Sequence, residues 1–301
     1  MSLGVIILET VSPFLEALHP LVPGETFPAF FTLQMFQRSL IAALIVTIIS
    51  GLIGSFLLIR NLALIGDGLA HVSFGGIAVG LVLGATSPLW YALLFSIISS
   101  IIIYEMEERE LLSGDASIAI FLTGMLAMGL VVLRIWGGGI TSDIEGYLFG
   151  NLLLIDDSDL NLIVYIGIIA VLSIAILFRA LLSTSIDPLA AKIQGIPSRA
   201  IGLWFSVIVA AVIVSMVQVI GALLVTALLV TPAATAQQVS KSFTSSIMWT
   251  QFFGISSLIL GLYFSSELET GSGSMIALMA AIIFGIVAIS TQLRRKFFTK
   301  S

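Results

Sequence analysis

The chain has no cysteine among its 301 residues, which removes both a disulfide framework and thiolate ligation of a soft metal. Charge is scarce as well: Asp, Glu, Lys and Arg make up 10% of the residues, against 58% hydrophobic, and the mean hydropathy is +1.17. Soluble domains carry roughly 25% charged residues, so this composition excludes an ordinary soluble domain and implies a membrane protein. With a formal net charge of −5, no nucleic-acid partner is expected. Apolar runs such as SLIAALIVTIISGLIGSFLLI lack the period-2 alternation of barrel strands, and in lipid only helices and closed barrels satisfy the backbone. The expected fold is therefore all-α, a polytopic transmembrane helical bundle in the lipid bilayer.

Catalytic motifs are missing too. No G-x-x-x-x-G-K-[ST] phosphate loop occurs, because the glycine-rich stretches at 137–139 and 271–273 lack the lysine that reaches the phosphates. H-E-x-x-H and G-x-S-x-G are also absent. The chain is not expected to be an enzyme, and any ATP hydrolysis belongs to another subunit. The amino terminus, MSLGVIILETVSPFLEALHP, has no basic residue before its apolar run, and Glu9 and Glu16 interrupt or follow that run, which makes a poor signal peptide. With prolines at 13, 20, 23 and 28, residues 1–34 read as an external or interfacial lead-in to a single transmembrane domain over 35–301. Low-complexity tracts and visible internal repeats are lacking.

What the chain does have is length in apolar segments. About 20 apolar residues cross a bilayer, and candidate spans lie near 35–59, 64–84, 88–104, 116–136, 160–181, 199–219, 220–240, 244–264 and 274–293. The count is eight or nine, because only Gln218 and Gly221 mark a reversal between the sixth and seventh. Cytoplasmic loops retain Lys and Arg. A cytoplasmic carboxyl terminus puts ten of the twelve basic residues inside, leaving Arg38 and Arg134 outside. The same topology sends most acids outward, Glu267 and Glu269 among them, where they are candidates for docking an external partner or are simply tolerated. The segment EMEERELLSGDAS reads as a charged cytoplasmic loop, and GGGITSDIEGYLFGN as a glycine-rich external one.

Within the second span, GDGLAHVSFGG places Asp67 and His71 at i and i+4, on one face of one helical turn. An ionisable group at membrane depth costs about 2.5–3.5 kcal/mol on insertion scales, so such groups face a bundle interior or a watery cavity. Counted from Arg60 at about 1.5 Å per residue, the pair lies roughly 10–17 Å into the membrane, the depth of many transport sites. Carboxylate plus neutral imidazole suits zinc, manganese or ferrous iron. Two ligands make an incomplete cage; a homodimer with its axis beside this helix would supply four. A hydrogen-bonded packing contact and a proton relay are the alternatives. Downstream, Gly76, Gly80 and Gly84 recur every fourth residue, a pattern for close helix packing or a dimer axis.

Between the fifth and sixth spans, STSIDPLAAKIQGIPSRAIG carries its own punctuation. Ser185 or Asp187 can cap a short helix, Pro188 suits an early position, and Gly195 followed by Pro197 ends it. An amphipathic cytoplasmic helix of about two turns is predicted over 187–195, readable by itself as a loop helix or an interfacial anchor.

Together these blocks resemble a known family. LLIRNLALIGDGLAHVSFGGIAVG, DPLAAKIQGIP, VIGALLVTALLVTPAATAQQV and LETGSGSMI are similar, in matching order from about residue 35, to the permease subunits of the zinc, manganese and iron importers of the ATP-binding-cassette superfamily. The resemblance implies a permease of eight or nine spans in the cell membrane, working as a homodimer with two ATPase subunits inside and an external solute-binding protein that delivers the ion. It maps the transported metal onto Asp67 and His71 and the ATPase contact onto Asp187, Pro188, Ala190 and Gly195. No permanently bound cofactor is implied. Glu269 and Gly271 depart from the aspartate and proline usual in that external turn, which suggests a looser turn, and Gly68 stands where many members have alanine. A proton-coupled secondary metal transporter using the same Asp67 and His71 is the competing reading.

Overall fold

The computed structural model describes residues 2–85, 87–137, 142–150, 152 and 155–298, and among them the chain folds as helices without a strand. A lead-in of α1 (Leu3–Leu18) and α2 (Ala29–Thr32) precedes α3 (Gln34–Ile59), α4 (Ile65–Val82), α5 (Leu89–Glu108) and α6 (Gly114–Trp136). Next come α7 (Ser142–Phe149), the 30-residue α8 (Asp157–Ile186), the short α9 (Pro188–Ile193) and α10 (Ser198–Ile220). The chain closes with α11 (Val225–Leu229), α12 (Thr231–Val239), α13 (Phe243–Glu267) and α14 (Ser272–Phe298). Nine helical stretches among the described residues are long and apolar enough to cross a membrane. The protein is a multi-pass membrane protein.

Those nine are not the nine expected from the sequence. Leu3–Leu21 is among them, yet its contacts sit at one end of the bundle. The Gly4 amide donates to Asn161 Oδ1 in the opening turns of α8 at 2.6 Å, and Ser12 Oγ donates to Gln37 Oε1 in the first turn of α3 at 2.6 Å. The amides of Glu25, Thr26 and Phe27 donate to the carboxylate of Glu267, the last residue of α13, at 3.0–3.2 Å. The lead-in therefore lies across the end where α3 and α8 begin and α13 finishes, and does not run alongside them.

The predicted span at 220–240 is where the structure corrects the sequence reading, because it is not one helix. Gly221 turns the chain at φ 83°, a left-handed value that side chains resist. The next amides leave the helical pattern: Ala222 and Leu223 donate to the carbonyls of Tyr147 and Leu148 in α7, at 2.9 and 3.1 Å. A second interruption falls at Val230, before Pro232, whose nitrogen has no proton for the ladder. At that break the Leu229 carbonyl comes so close to Gly54 of α3 that a Cβ there would collide with it. Among the described residues, the interrupted segment completes nine passages through the bundle. α9 and the end of α14 come out at the opposite end from the lead-in.

In the glycine-rich stretch read as a loop, residues 138–141 and 151 lie outside the described residues, and Ser142–Phe149 is α7.

α3, α4 and α10 form the buried centre, while α5, α6, α8 and α14 turn apolar side chains such as Trp90, Ile120, Ile176 and Ile289 outward. α4 is wedged between α5 and α6. A Cβ on Gly76 would lie 2.7 Å from the Tyr91 carbonyl and from Ala92 Cα of α5, and one on Gly75 would lie 2.8 Å from the Met125 carbonyl of α6. Small residues let backbones approach this closely. Gly80 packs against Pro88 in the same way, at 3.0 Å. The glycine face of α4 is thus filled by the chain's own α5. Gly84 does not belong to that face: it lies past the end of α4 in a left-handed turn.

Candidate functional site

α3 ends at Ile59 with Arg60 as its C-cap, and Asn61 takes a left-handed φ of 57° so that the Leu62 amide can reach back to the Leu57 carbonyl at 2.9 Å. This tight reversal starts α4 at Ile65 and puts Asp67 in its first turn, where the positive end of the helix dipole favours a carboxylate. From Ile65 to Ala78 every residue of α4 is buried except Asp67 and His71, which are half-buried. One turn apart, the two form the single accessible strip on that stretch of helix.

They do not satisfy each other. The Asp67 carboxylate accepts a short hydrogen bond from the hydroxyl of Thr226 in α11, and His71 Nδ1 is buried without a hydrogen-bond partner. Gly66 makes room for this arrangement, since a Cβ there would lie 3.0 Å from Thr226 Oγ1 and 2.9 Å from Leu229 Cδ2. Gly68, the departure from alanine, faces Ile118 of α6, whose Cγ2 would be 2.6 Å from an added Cβ. The sequence reading missed Thr226. It sits in the apolar block read as a continuous span, and its partner is 159 residues away.

Among the described residues no group of three or more His, Cys, Asp and Glu could hold a metal. Asp67 and His71 thus present one carboxylate and one imidazole, donors of hard and borderline character, on a half-buried strip of α4. The donor set fits a divalent first-row ion held loosely and released.

At the opposite end from the lead-in, the Asp187 carboxylate caps α9 by accepting from the Ala190 amide at 2.9 Å, and Pro188 occupies the first turn. Gly195 ends the element at φ 80°, and the Ile196 amide returns to the Ala191 carbonyl at 3.1 Å. Ala191 points inward and is buried. Ile186, Leu189 and Ile193 point away, 68%, 69% and 80% exposed.

The lead-in end carries the two acids considered for docking. Glu267 is taken up by the lead-in amides described above, whereas Glu269 is exposed, with a left-handed φ of 53°. The turn after α13 is not loose: the Thr270 amide donates to the Ser265 carbonyl at 3.0 Å, and Ser265 Oγ donates to the Thr270 carbonyl at 2.6 Å. Nearby, Arg38 pairs with Asp157 at 2.8 Å. Burial opposes ionisation of Asp156 beside it, but hydrogen bonds from Asp159 and Ser158 outweigh burial and hold its pKa below the ordinary value.

The profile of the ABC 3 transport family matches residues 32–291. The chain belongs to that family. This ABC 3 permease is 32% identical to the manganese import system permease protein ScaB of Streptococcus gordonii over 82% of this chain and 88% of that protein. It is 31% identical to the manganese transport system membrane protein MntC of Listeria innocua, over 88% of this chain and 93% of that protein. Among solved structures, PsaBC from Streptococcus pneumoniae in complex with Fab matches with a TM-score of 0.76 and 32% identity, covering 86% of this chain and 92% of that one. The resemblance read from the motifs, the helical permease fold and the non-enzymatic role as a metal-transport subunit all stand.

Proposed function

We propose that this permease forms the membrane path of an ATP-driven importer of a divalent metal ion, with manganese as the cargo and two copies of the chain enclosing the path. The carrying observation is the accessible strip on α4, where Asp67 and His71 alone break an otherwise buried stretch from Ile65 to Ala78. The manganese in the names of the two relatives supports the choice of ion over zinc or iron.

The chemistry follows from the donors. With Thr226 donating to one Asp67 oxygen, the other carboxylate oxygen is left to neutralise and ligate the ion. His71 contributes a neutral imidazole nitrogen. A second copy facing the same strip doubles the set to four ligands, and so loose a cage offsets part of the dehydration cost without trapping the cargo.

The ends have separate partners in this reading. The exposed apolar face of Ile186, Leu189 and Ile193 takes the ATPase subunit, and with it the carboxyl terminus lies in the cytoplasm. The lead-in end faces outward in the cell membrane and receives the solute-binding protein, with Glu269 free to contact it. On α1, the apolar Ile6 and Phe14 are exposed, which suits a helix resting in the outer interface.

The test is radiolabelled Mn2+ uptake in proteoliposomes holding the permease, its ATPase and its binding protein, with Asp67→Asn and His71→Ala beside wild type. ATP-dependent uptake that both substitutions abolish, with assembly intact, supports the proposal; full uptake in both variants refutes the site. Membership of an ATP-binding-cassette family favours this account over a proton-driven carrier. Uptake driven by an imposed pH gradient without nucleotide would reverse that preference.

A further inference from the structure

Arg60 stands seven residues before Asp67, at the start of the turn into α4, and no catalytic or ligating role uses it. Its Nε donates to Ser185 Oγ at 2.9 Å and its Nη2 to Thr184 Oγ1 at 3.2 Å, while Cζ lies 4.7 Å over the ring of Phe205 in α10. Thr184 and Ser185 are buried on the last turn of α8, and Asp187, two residues beyond Ser185, caps α9. Both hydroxyls spend their own protons on the Leu181 carbonyl, at 3.0 and 2.6 Å, so their lone pairs are aimed at the guanidinium. A single side chain thereby joins the root of α9 to the entrance of α4.

The joint is stiff on both sides. From Arg60 the turn is held by the Leu62-to-Leu57 hydrogen bond at 2.9 Å and an Ile65-to-Leu62 bond at 3.2 Å, so a shift of Arg60 moves the first turn of α4 with it. One turn inside, Phe56 packs edge-on to Phe178 at 5.8 Å, Phe205 at 6.1 Å and Phe243 at 4.9 Å. That cluster ties α3, α8, α10 and α13 together at the same level. The ion pairs described in this chain do not include Arg60; its direct partners are neutral hydroxyls and a ring, with Tyr104 and the Glu107 carboxylate of α5 near enough to interact electrostatically, and such bonds can be remade at lower cost than a desolvated carboxylate pair.

We propose that Arg60 is the positioning residue through which displacement of α9 reaches Asp67 and His71. The inference rests on the reading of α9 as the ATPase contact. When the ATPase moves α9, the last turn of α8 moves with it, and the guanidinium carries that motion across to the α3–α4 turn, shifting the accessible strip relative to a second copy. Arg60 itself touches no ion; it acts through α4.

The experiment compares wild type, Arg60→Gln and the double variant Thr184→Val with Ser185→Ala in the reconstituted importer, reading ATP hydrolysed and radiolabelled Mn2+ taken up in the same vesicles. The double variant removes the two acceptor oxygens, and with them their own bonds to the Leu181 carbonyl, while leaving Arg60 in place, so the question survives if Arg60→Gln fails to fold. Mn2+ binding to the solubilised permease is measured in parallel by electron paramagnetic resonance. The expected result is hydrolysis within about twofold of wild type, uptake lower by about tenfold, and unchanged Mn2+ binding, a loss within the usual range of coupling between linked sites. An ATP-to-Mn2+ ratio equal to that of wild type overturns the inference, whether both rates fall in proportion or neither changes. Wild-type uptake that ignores nucleotide sinks the importer reading instead, so the two failures are distinct.

Discussion

The hydroxyl of Thr226, in the interrupted passage between α10 and α13, donates to the carboxylate of Asp67 on α4. That bond couples the helix bearing both candidate ligands to the one passage whose backbone is broken twice. Discontinuous helices beside transport sites allow local rearrangement without moving a whole helix.

Replacing Thr226 with valine keeps the shape and removes the bond. Hydrogen bonds to charged groups contribute about 1.5–3 kcal/mol, so the apparent KM for Mn2+ uptake rises roughly 10- to 150-fold. Thr226→Ser retains the donor and stays near wild type. A valine variant with the wild-type KM would show that Thr226 does not orient Asp67.

Uptake falls on the acid side, because His71 must be neutral to ligate and a protonated ring has no lone pair to offer. The sign is loss on the acid side and a plateau above. The profile of initial Mn2+ uptake between pH 5 and 7.5, with the binding protein saturated throughout, reads it directly; a flat profile removes His71 from the ligand set.

Gly54→Ala is a one-methyl change with a disproportionate effect. The added Cβ meets the Leu229 carbonyl, a backbone atom that cannot swing away as a side-chain tip can. Overpacking of this kind costs about 1–3 kcal/mol, seen as a lower melting temperature of the purified permease. Equal melting temperatures would mean that the break at Val230 does not approach α3 this closely.

Ile193→Glu separates docking from folding. Ile193 is 80% exposed on α9, and exposed substitutions usually change stability by no more than about 0.5 kcal/mol. The permease should purify with an unchanged melting temperature while the ATPase no longer co-purifies with it. Normal capture of the ATPase would place its contact elsewhere on this end.

The sequence by itself determined the class of the molecule and most of its long helices, because about 20 apolar residues in a row leave the backbone few other solutions in lipid. It also located α9, whose aspartate, proline and glycine are short-range signals written within a few residues of one another. The spacing of Asp67 and His71 was legible for the same reason: helical period alone brings i and i+4 together. Only the tertiary structure decided that 220–240 is interrupted and which residues hold the lead-in across the end of the bundle. Hydropathy sums a window and does not register where each amide finds its acceptor. The breaks at Gly221 and Val230 are sustained by α7 and by Gly54, and the lead-in is held down by Glu267, more than 200 residues away. Thr226 came to Asp67, and Arg60 to the root of α9, through packing between distant segments, an arrangement that no local pattern encodes.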